Sequence, residues 1–238
     1  MKIGVAQTRP VKGDIAHNIA NHQTLIDLAV SDGADLLIFP ELSLTGYEPE
    51  LAADLATTPD DSRFDVFQTR SDAHRITIGV GVPIRSEEGI WISLLIFQPH
   101  QPRHLYSKKY LHEDEEPFFV SGQSTLCFLG DKANIALAIC YELSVPEHSG
   151  KAFQNGATVY LASVAKSAPG MEKASETLSA IARTNAMTVF VSNCVGYCDN
   201  FESAGRSAIW NTKGELIRQL NDVDEGILII DLETGTGL

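Results

Sequence analysis

The chain has 238 residues, 44% of them hydrophobic, and a formal net charge of −13. That is enough apolar material for sizeable cores, and no Pro/Gly/Ser-rich linker, charge block, low-complexity tract or internal repeat divides it, so a single domain over residues 1–238 is expected. Basic residues are scattered rather than gathered into a stripe, which excludes nucleic acid and anionic membrane as partners; no apolar run approaches the roughly 20 residues of a membrane span and "MKIGVAQTRP" is not a signal peptide, so a cytoplasmic location is expected.

In chain order, "KIGVAQT" reads as a strand, and Asp14 as the N-cap of a helix through "NIANHQTLIDLAVSDG" that Gly33 stops. "DLLIFPE" is the next strand. A weaker helix around 60–74 precedes "ITIGVGVPI" and "IWISLLIFQP", two β-rich runs joined through "RSEEG" as a hairpin. After "RHLYSKKYL" comes the continuous apolar strand "NIALAIC", then a helix starting near Pro146, the strand "ATVYLAS", and a helix over Met171–Ala186 with Met171, Ala174, Leu178, Ile181 and Ala182 on one face. "TVFVSN", "GRSAIWN" and "EGILIIDL" close the chain as strands. Helices alternating with long β runs imply a mixed sheet, or a pair of sheets, covered by helices.

Cys127, Cys140, Cys194 and Cys198 follow neither a disulfide framework nor CxxC metal spacing. Cys194 and Cys198 are read as buried or loop thiols, with a redox pair or half a metal site as the alternatives.

Three polar residues stand at or just past the carboxyl end of a predicted strand, the edge where α/β folds bind ligands: Glu41, Lys108 and Cys140. A thiol attacks only as thiolate, so a catalytic cysteine needs a base or a cation; Glu41 offers the first and Lys108 the second. When the thiol adds to a carbonyl, the oxygen becomes negative and needs donors already in place, which Lys108 and the backbone N–H of Tyr141 can provide on a strand-turn-helix elbow. His104, His112 and His148 lack a strand-end position like that of Glu41, so a Cys–His dyad is the lesser alternative.

With these residues in view, the sequence resembles the carbon–nitrogen hydrolase, or nitrilase, superfamily, amidase-like branch, along nearly the whole chain. "FPELSLTGY" resembles its glutamate motif, "YSKKYL" its Y-x-K-x-x-L lysine motif, which sets the lysine at Lys108 rather than Lys109, and "ICYELSVPE" its cysteine motif. Arg183, Asn193, Gly205 and Ser207 match recurrent framework positions. The resemblance implies an α/β fold, a four-layer αββα sandwich, and a Glu-Lys-Cys triad that hydrolyses a non-peptide C–N bond through a thioester, with neither metal nor cofactor required. It also implies a second glutamate seven residues ahead of Gly122, which is Glu115, with Glu116 as its rival in "HEDEEPFFVSG".

The expected substrate is a small amide or N-carbamoyl compound. A nitrile-hydrolysing enzyme and a non-catalytic binding module are the alternatives. Tyr47, Tyr141 and the loop 163–170 with Lys166 are the candidate pocket residues; Lys166 either attracts an anionic substrate or is solvated. Many members carry arginine four residues after the nucleophile; Ser144 stands there here, which argues against acidic ω-amide substrates. The chain stops at "DLETGTGL", short of the tail that in many relatives reaches a partner, yet a homodimer packed through the helices at about 146–155 and 171–186 is expected.

Overall fold

Asp14 caps the first helix, accepting from the His17 N–H at 3.0 Å, and Gly33, at φ +74°, makes the left-handed turn that follows its end. The computed structural model describes residues 1–122, 128–129 and 134–235; Cys127 lies outside them. Strand β1 (Lys2–Gln7), helix α1 (Ile15–Ser31), β2 (Leu36–Ile38), a short α2 (Ala52–Leu55) and α3 (Asp65–His74) lead into β3 (Thr77–Arg85), β4 (Ile90–Phe97) and β5 (His104–Ser107). Then follow β6 (Phe128–Leu129), β7 (Ile135–Ile139), α4 (Pro146–Gln154), β8 (Val159–Ser163), α5 (Ala168–Asn185) and β9 (Thr188–Ser192). The hairpin β10 (Val195–Cys198) and β11 (Phe201–Ala204) precedes β12 (Ala208–Trp210), β13 (Leu216–Gln219) and β14 (Gly226–Asp231).

Two six-stranded mixed sheets result, ordered β14-β1-β2-β3-β4-β5 and β13-β12-β9-β8-β7-β6. In each, three parallel strands form the centre: β1, β2 and β3 in the first, β7, β8 and β9 in the second. Their near-continuous apolar composition follows from burial on both faces. In β7, Ile135, Leu137 and Ile139 point into the layer between the sheets, against Ile3, Val5, Leu36, Ile38, Leu94 and Phe190. The alternate Ala136 and Ala138 face the outer layer under α4 and α5, with Leu178, Ile181 and Trp210. On the other side Ile19, Ile26, Phe64 and Phe67 from the helical layer pack on Leu37, Ile78, Val80 and Phe97. The layers are therefore helix, sheet, sheet, helix. Hydroxyls pin the two sheets together at their carboxyl ends: Ser163 donates to the Phe39 carbonyl at 2.8 Å and Ser192 to the Ala6 carbonyl at 2.6 Å.

The structure departs from the sequence expectation in five places. Strand β2 stops at Ile38, because Pro40 has no N–H for the ladder and the chain turns there. A five-residue 3₁₀ turn, Cys140–Ser144, stands between β7 and α4. The short hairpin β10–β11, the strand β13 and the helical segment 49–55 carry too little apolar patterning to have been read. Among the described residues no helix is long and apolar enough to cross a membrane.

Candidate active site

Glu41 sits in the turn that ends β2, and the turn is fixed from several sides. The Phe39 N–H donates to the Gly79 carbonyl at 2.8 Å, the Leu44 N–H to the Gly81 carbonyl at 3.0 Å and the Ser43 N–H to the Pro40 carbonyl at 3.2 Å. Fully buried His22 on α1 stacks on Phe39 at 4.0 Å, donates from Nδ1 to the Asn18 carbonyl at 2.7 Å and accepts at Nε2 from the Ser43 hydroxyl at 2.9 Å. Burial pushes the His22 pKa down to about 3, so this ring is neutral.

Lys108 follows β5, its N–H bonded to the Ile92 carbonyl of β4 at 2.8 Å. Its side chain is wholly buried between two carboxylates, donating to Glu41 Oε1 at 2.7 Å and Glu115 Oε1 at 2.6 Å. Burial opposes its charge, but Glu41, Cys140 and Glu115 together outweigh it and hold the ammonium above its ordinary pKa. Lys109, its neighbour, is exposed. In the acidic run, Glu115 is buried, while Glu113, Asp114 and Glu116 are exposed. Glu115 Oε1 also accepts from the Tyr47 hydroxyl at 3.0 Å, and Oε2 from the His112 N–H at 2.8 Å.

Cys140 begins the 3₁₀ turn at the end of β7 with φ +42°, a left-handed conformation that costs a non-glycine residue about 1–3 kcal/mol. Such an elbow turns the thiol out of the strand line and presents the first N–H groups of the turn, which have no partner within it. Burial and then the Glu41 carboxylate push the thiol pKa up to about 11, against the pull of Lys166 and Lys108. Burial raises the Glu41 pKa as well, with Lys108 countering and Glu115 adding to the rise. Glu41 Oε1 is taken by Lys108 and Oε2 is buried, and a hydrogen bond from the Cys140 thiol to this carboxylate also counters the rise in its pKa. A carboxylate held by an ammonium on one side and by a thiol on the other has the form of a general base.

The cavity above Cys140 has a volume of about 260 Å³ and is lined by Tyr47, His112, Glu115, Tyr141, Lys166 and Phe201, among others. Tyr47 and Phe201 make an aromatic pair 6.0 Å apart, and His112 and Tyr141 another at 5.3 Å. Lys166 is held through its backbone: its N–H donates to Asn193 Oδ1 at 2.9 Å, and its carbonyl accepts from the Ala204 N–H at 2.9 Å, Asn193 Nδ2 at 3.1 Å and the Ser203 hydroxyl at 3.2 Å. Among the described residues no carboxylate pairs with its ammonium.

The sequence-predicted Glu41, Lys108, Glu115, Cys140, Tyr47, Tyr141 and Lys166 therefore meet at one place. His148 does not: it lies behind the elbow, between Tyr106 and Tyr160. His104 is exposed on β5, while His112 lines the cavity mouth. Ser144 is exposed in the groove between α4 and α5 and does not line the cavity. Of the framework positions, Asn193 and Ser207 are fully buried, whereas Arg183 is exposed on α5. Cys194 and Cys198 are free, buried thiols. Sequence reading missed Phe201, which arrives on the unrecognised hairpin, and gave Glu142, two residues past Cys140, no role.

The sequence model of the carbon-nitrogen hydrolase family matches residues 2–236. The chain is 27% identical to the 2-oxoglutaramate amidase of Bacillus subtilis, covering 93% of this chain and 86% of that protein. It is 25% identical to the glutamine-dependent NAD(+) synthetases of Aquifex aeolicus and Thermotoga maritima, spanning 43% of the length of each. Among solved structures, an amidase from Nesterenkonia sp. is 25% identical and matches at a TM-score of 0.87, covering 98% of this chain and 90% of that one. A variant of an amidase from Nesterenkonia sp. AN1, with acrylamide added at its active-site cysteine, matches at 0.88 with 23% identity, over 98% and 93% of the two chains. The chain belongs to the carbon-nitrogen hydrolase family.

Proposed function

We propose that the protein hydrolyses a small amide or N-carbamoyl compound through a thioester on Cys140. The observation that carries this reading is that the Lys108 ammonium is held between Glu41 and Glu115, the Cys140 thiol acts on the same Glu41 carboxylate, and Glu115 and Cys140 line one cavity. Because the thiol pKa is pushed up to about 11, it is protonated at neutral pH, and attack needs a base in the same step. Glu41 takes the thiol proton as sulfur adds to the carbonyl carbon. Lys108 and the Tyr141 N–H receive the oxyanion. Glu41 then gives the proton to the leaving nitrogen, ammonia departs, and the thioester remains. Water adds next, deprotonated by Glu41; the C–S bond breaks, the acid leaves and the thiol is restored. Glu115 keeps Lys108 charged and oriented, as the second carboxylate on its ammonium.

Tyr47, Tyr141 and Lys166 bind the substrate in this reading. The two aromatic pairs favour a small planar group, and the unpaired Lys166 supplies a counter-charge to an anionic one. We further propose a cytoplasmic homodimer packed through α4 and α5, where Leu143, Pro146 and Ile181 line a groove of about 250 Å³; sedimentation of the purified protein tests it.

The test of the activity is an ammonia-release screen of small amides, carbamoyl amines and nitriles, with acid-quenched mass spectrometry after a short pulse. Ammonia from amides, an acyl adduct on Cys140 and no turnover by Cys140→Ala are expected. Turnover of nitriles alone moves the protein to the nitrilase branch, and an adduct on Cys194 or Cys198 removes Cys140 as nucleophile.

A further inference from the structure

Glu142 lies two residues past Cys140 and does not line the cavity, yet its wholly buried carboxylate joins the two halves of the site. Oε1 accepts from the Lys109 N–H at 2.7 Å, the peptide group directly after Lys108. Oε2 accepts from the Ile139 N–H at 2.8 Å, one residue before Cys140, and from the Tyr106 hydroxyl at 2.6 Å. Lys108 directly follows β5 of the first sheet and Cys140 directly follows β7 of the second, so one side chain spans the seam between them.

The protons behind it are also assigned. Because the Tyr106 O–H donates to Glu142, its oxygen accepts from His148 Nε2–H at 3.0 Å, and His148 Nδ1 accepts from the Tyr160 hydroxyl at 2.8 Å. The ring is then neutral, in keeping with its pKa, which burial lowers against the pull of Glu142. Tyr106 stands on β5, His148 on α4 and Tyr160 on β8, so the carboxylate is braced from both sheets and the outer helix layer.

We propose that Glu142 is the positioning residue of the site, strapping the backbone beside Lys108 to the backbone beside Cys140 and so fixing cation, base and thiol relative to one another. Two physical facts support this. The donors around Glu142 are two backbone N–H groups and a phenol, so only a group that accepts on both ends satisfies them. A glutamine would set its NH₂ against an N–H in either orientation. The positive φ of Cys140 persists only where its surroundings over-determine it, and the Ile139 bond holds the residue immediately before it. This inference rests on Cys140 as the nucleophile and is independent of which C–N bond is cleaved.

The experiment compares Glu142→Gln and Tyr106→Phe with wild type. It measures alkylation of Cys140 by iodoacetamide against pH, read at the Cys140 peptide, together with the thermal midpoint and kcat and KM for a small amide. In Glu142→Gln, below its thermal midpoint, the alkylation profile is displaced from that of wild type as the thiol loses its fixed setting against Glu41 and Lys108. There kcat falls about 10- to 100-fold with KM within about twofold. Tyr106→Phe, which removes one donor, shifts the profile the same way by less. A wild-type alkylation profile in folded Glu142→Gln overturns the proposal, as does a rate loss equal to its unfolded fraction. If Glu142→Gln does not fold, Tyr106→Phe decides by the same two criteria. Alkylation needs no turnover, so a shifted profile in a protein that releases no ammonia keeps the positioning role and rejects the amidase reading alone.

Discussion

Gly81 lies directly under Glu41: a Cβ on Gly81 would stand 2.3 Å from the Pro40 carbonyl oxygen, 2.4 Å from the Leu42 nitrogen and 2.9 Å from the Glu41 carbonyl carbon. All three are backbone atoms, so neither residue can yield without moving the turn that carries Glu41. Gly122 stands in the same relation to Ser107, with Cβ contacts of 2.5–2.8 Å, just ahead of Lys108. Two glycines thus set the height of Glu41 and of Lys108.

Gly81→Ala is therefore expected to cost activity out of proportion to stability. Overpacking of this kind destabilises by about 1–3 kcal/mol, whereas a shift of Glu41 near 1 Å slows turnover about 100-fold. Gly226→Ala, whose Cβ meets nothing closer than 3.6 Å, is the control. Equal effects of the two substitutions on kcat contradict the role given to Gly81.

Glu41→Gln and Lys108→Met both slow turnover, roughly 10²–10⁴-fold for the first, but they move the Cys140 thiol in opposite directions. The Glu41 charge raises that pKa and the Lys108 charge lowers it, so the alkylation profile shifts to lower pH in Glu41→Gln and to higher pH in Lys108→Met. Lys109→Met changes only an exposed side chain and keeps the wild-type profile. Shifts of the same sign in the first two variants refute the charge assignment.

With Glu41 as the proposed base, the pH–rate profile is expected to have an acid limb set by its carboxylate. Burial raises the Glu41 pKa above its ordinary 4.5, so kcat/KM falls as pH drops through a value above 4.5. An acid limb at or below 4.5 assigns the base elsewhere.

Lys166→Met separates the two uses of that cation. Succinamate and 4-methylpentanamide match in shape and differ in charge. If Lys166 binds an anionic group, kcat/KM falls by about tenfold for succinamate and by less than about twofold for the neutral amide. Equal losses on both mean that Lys166 acts on the Cys140 thiol instead.

His22 makes the fold sensitive to acid near Glu41. Its folded pKa of about 3 lies below the ordinary 6.5, so as pH falls the unfolded chain takes up a proton first. Its contribution is complete above pH 6.5 and drains away between 6.5 and 3, by at most about 1.4 kcal/mol per pH unit. Denaturant titrations across that range should show a flatter dependence for His22→Gln; an unchanged slope removes His22 as the cause.

The sheets were legible because "ITIGVGVPI", "NIALAI" and "ATVYLAS" are long, apolar and rich in β-branched residues. Lys108 and Cys140 were legible as polar residues at the ends of such runs, and Glu41 as one just past its own. Glu115 was not separable from Glu116 by pattern: both lie in "HEDEEP", and only the fold buries one against Lys108 and leaves the other exposed. Phe201 was hidden because β10 and β11 are four residues each, with Tyr197 and Glu202 exposed. Glu142 was visible as the residue behind the nucleophile, but its work depends on Lys109, Ile139 and Tyr106, which the chain brings together only across the two sheets.

The pairing of β1 with β14 governs the order in which the site comes to exist. Six register pairs, from Lys2↔Asp231 to Gln7↔Gly226, join the first strand to the last. During synthesis the outer edge of β1 stays unpaired until residue 231 has left the ribosome, and Glu41 and Lys108 are made well before Cys140. An exposed strand edge invites pairing with another chain, so this interval is when the nascent protein is most open to aggregation. A ribosome-stalled chain ending before β14 would expose that edge for a chaperone to cover.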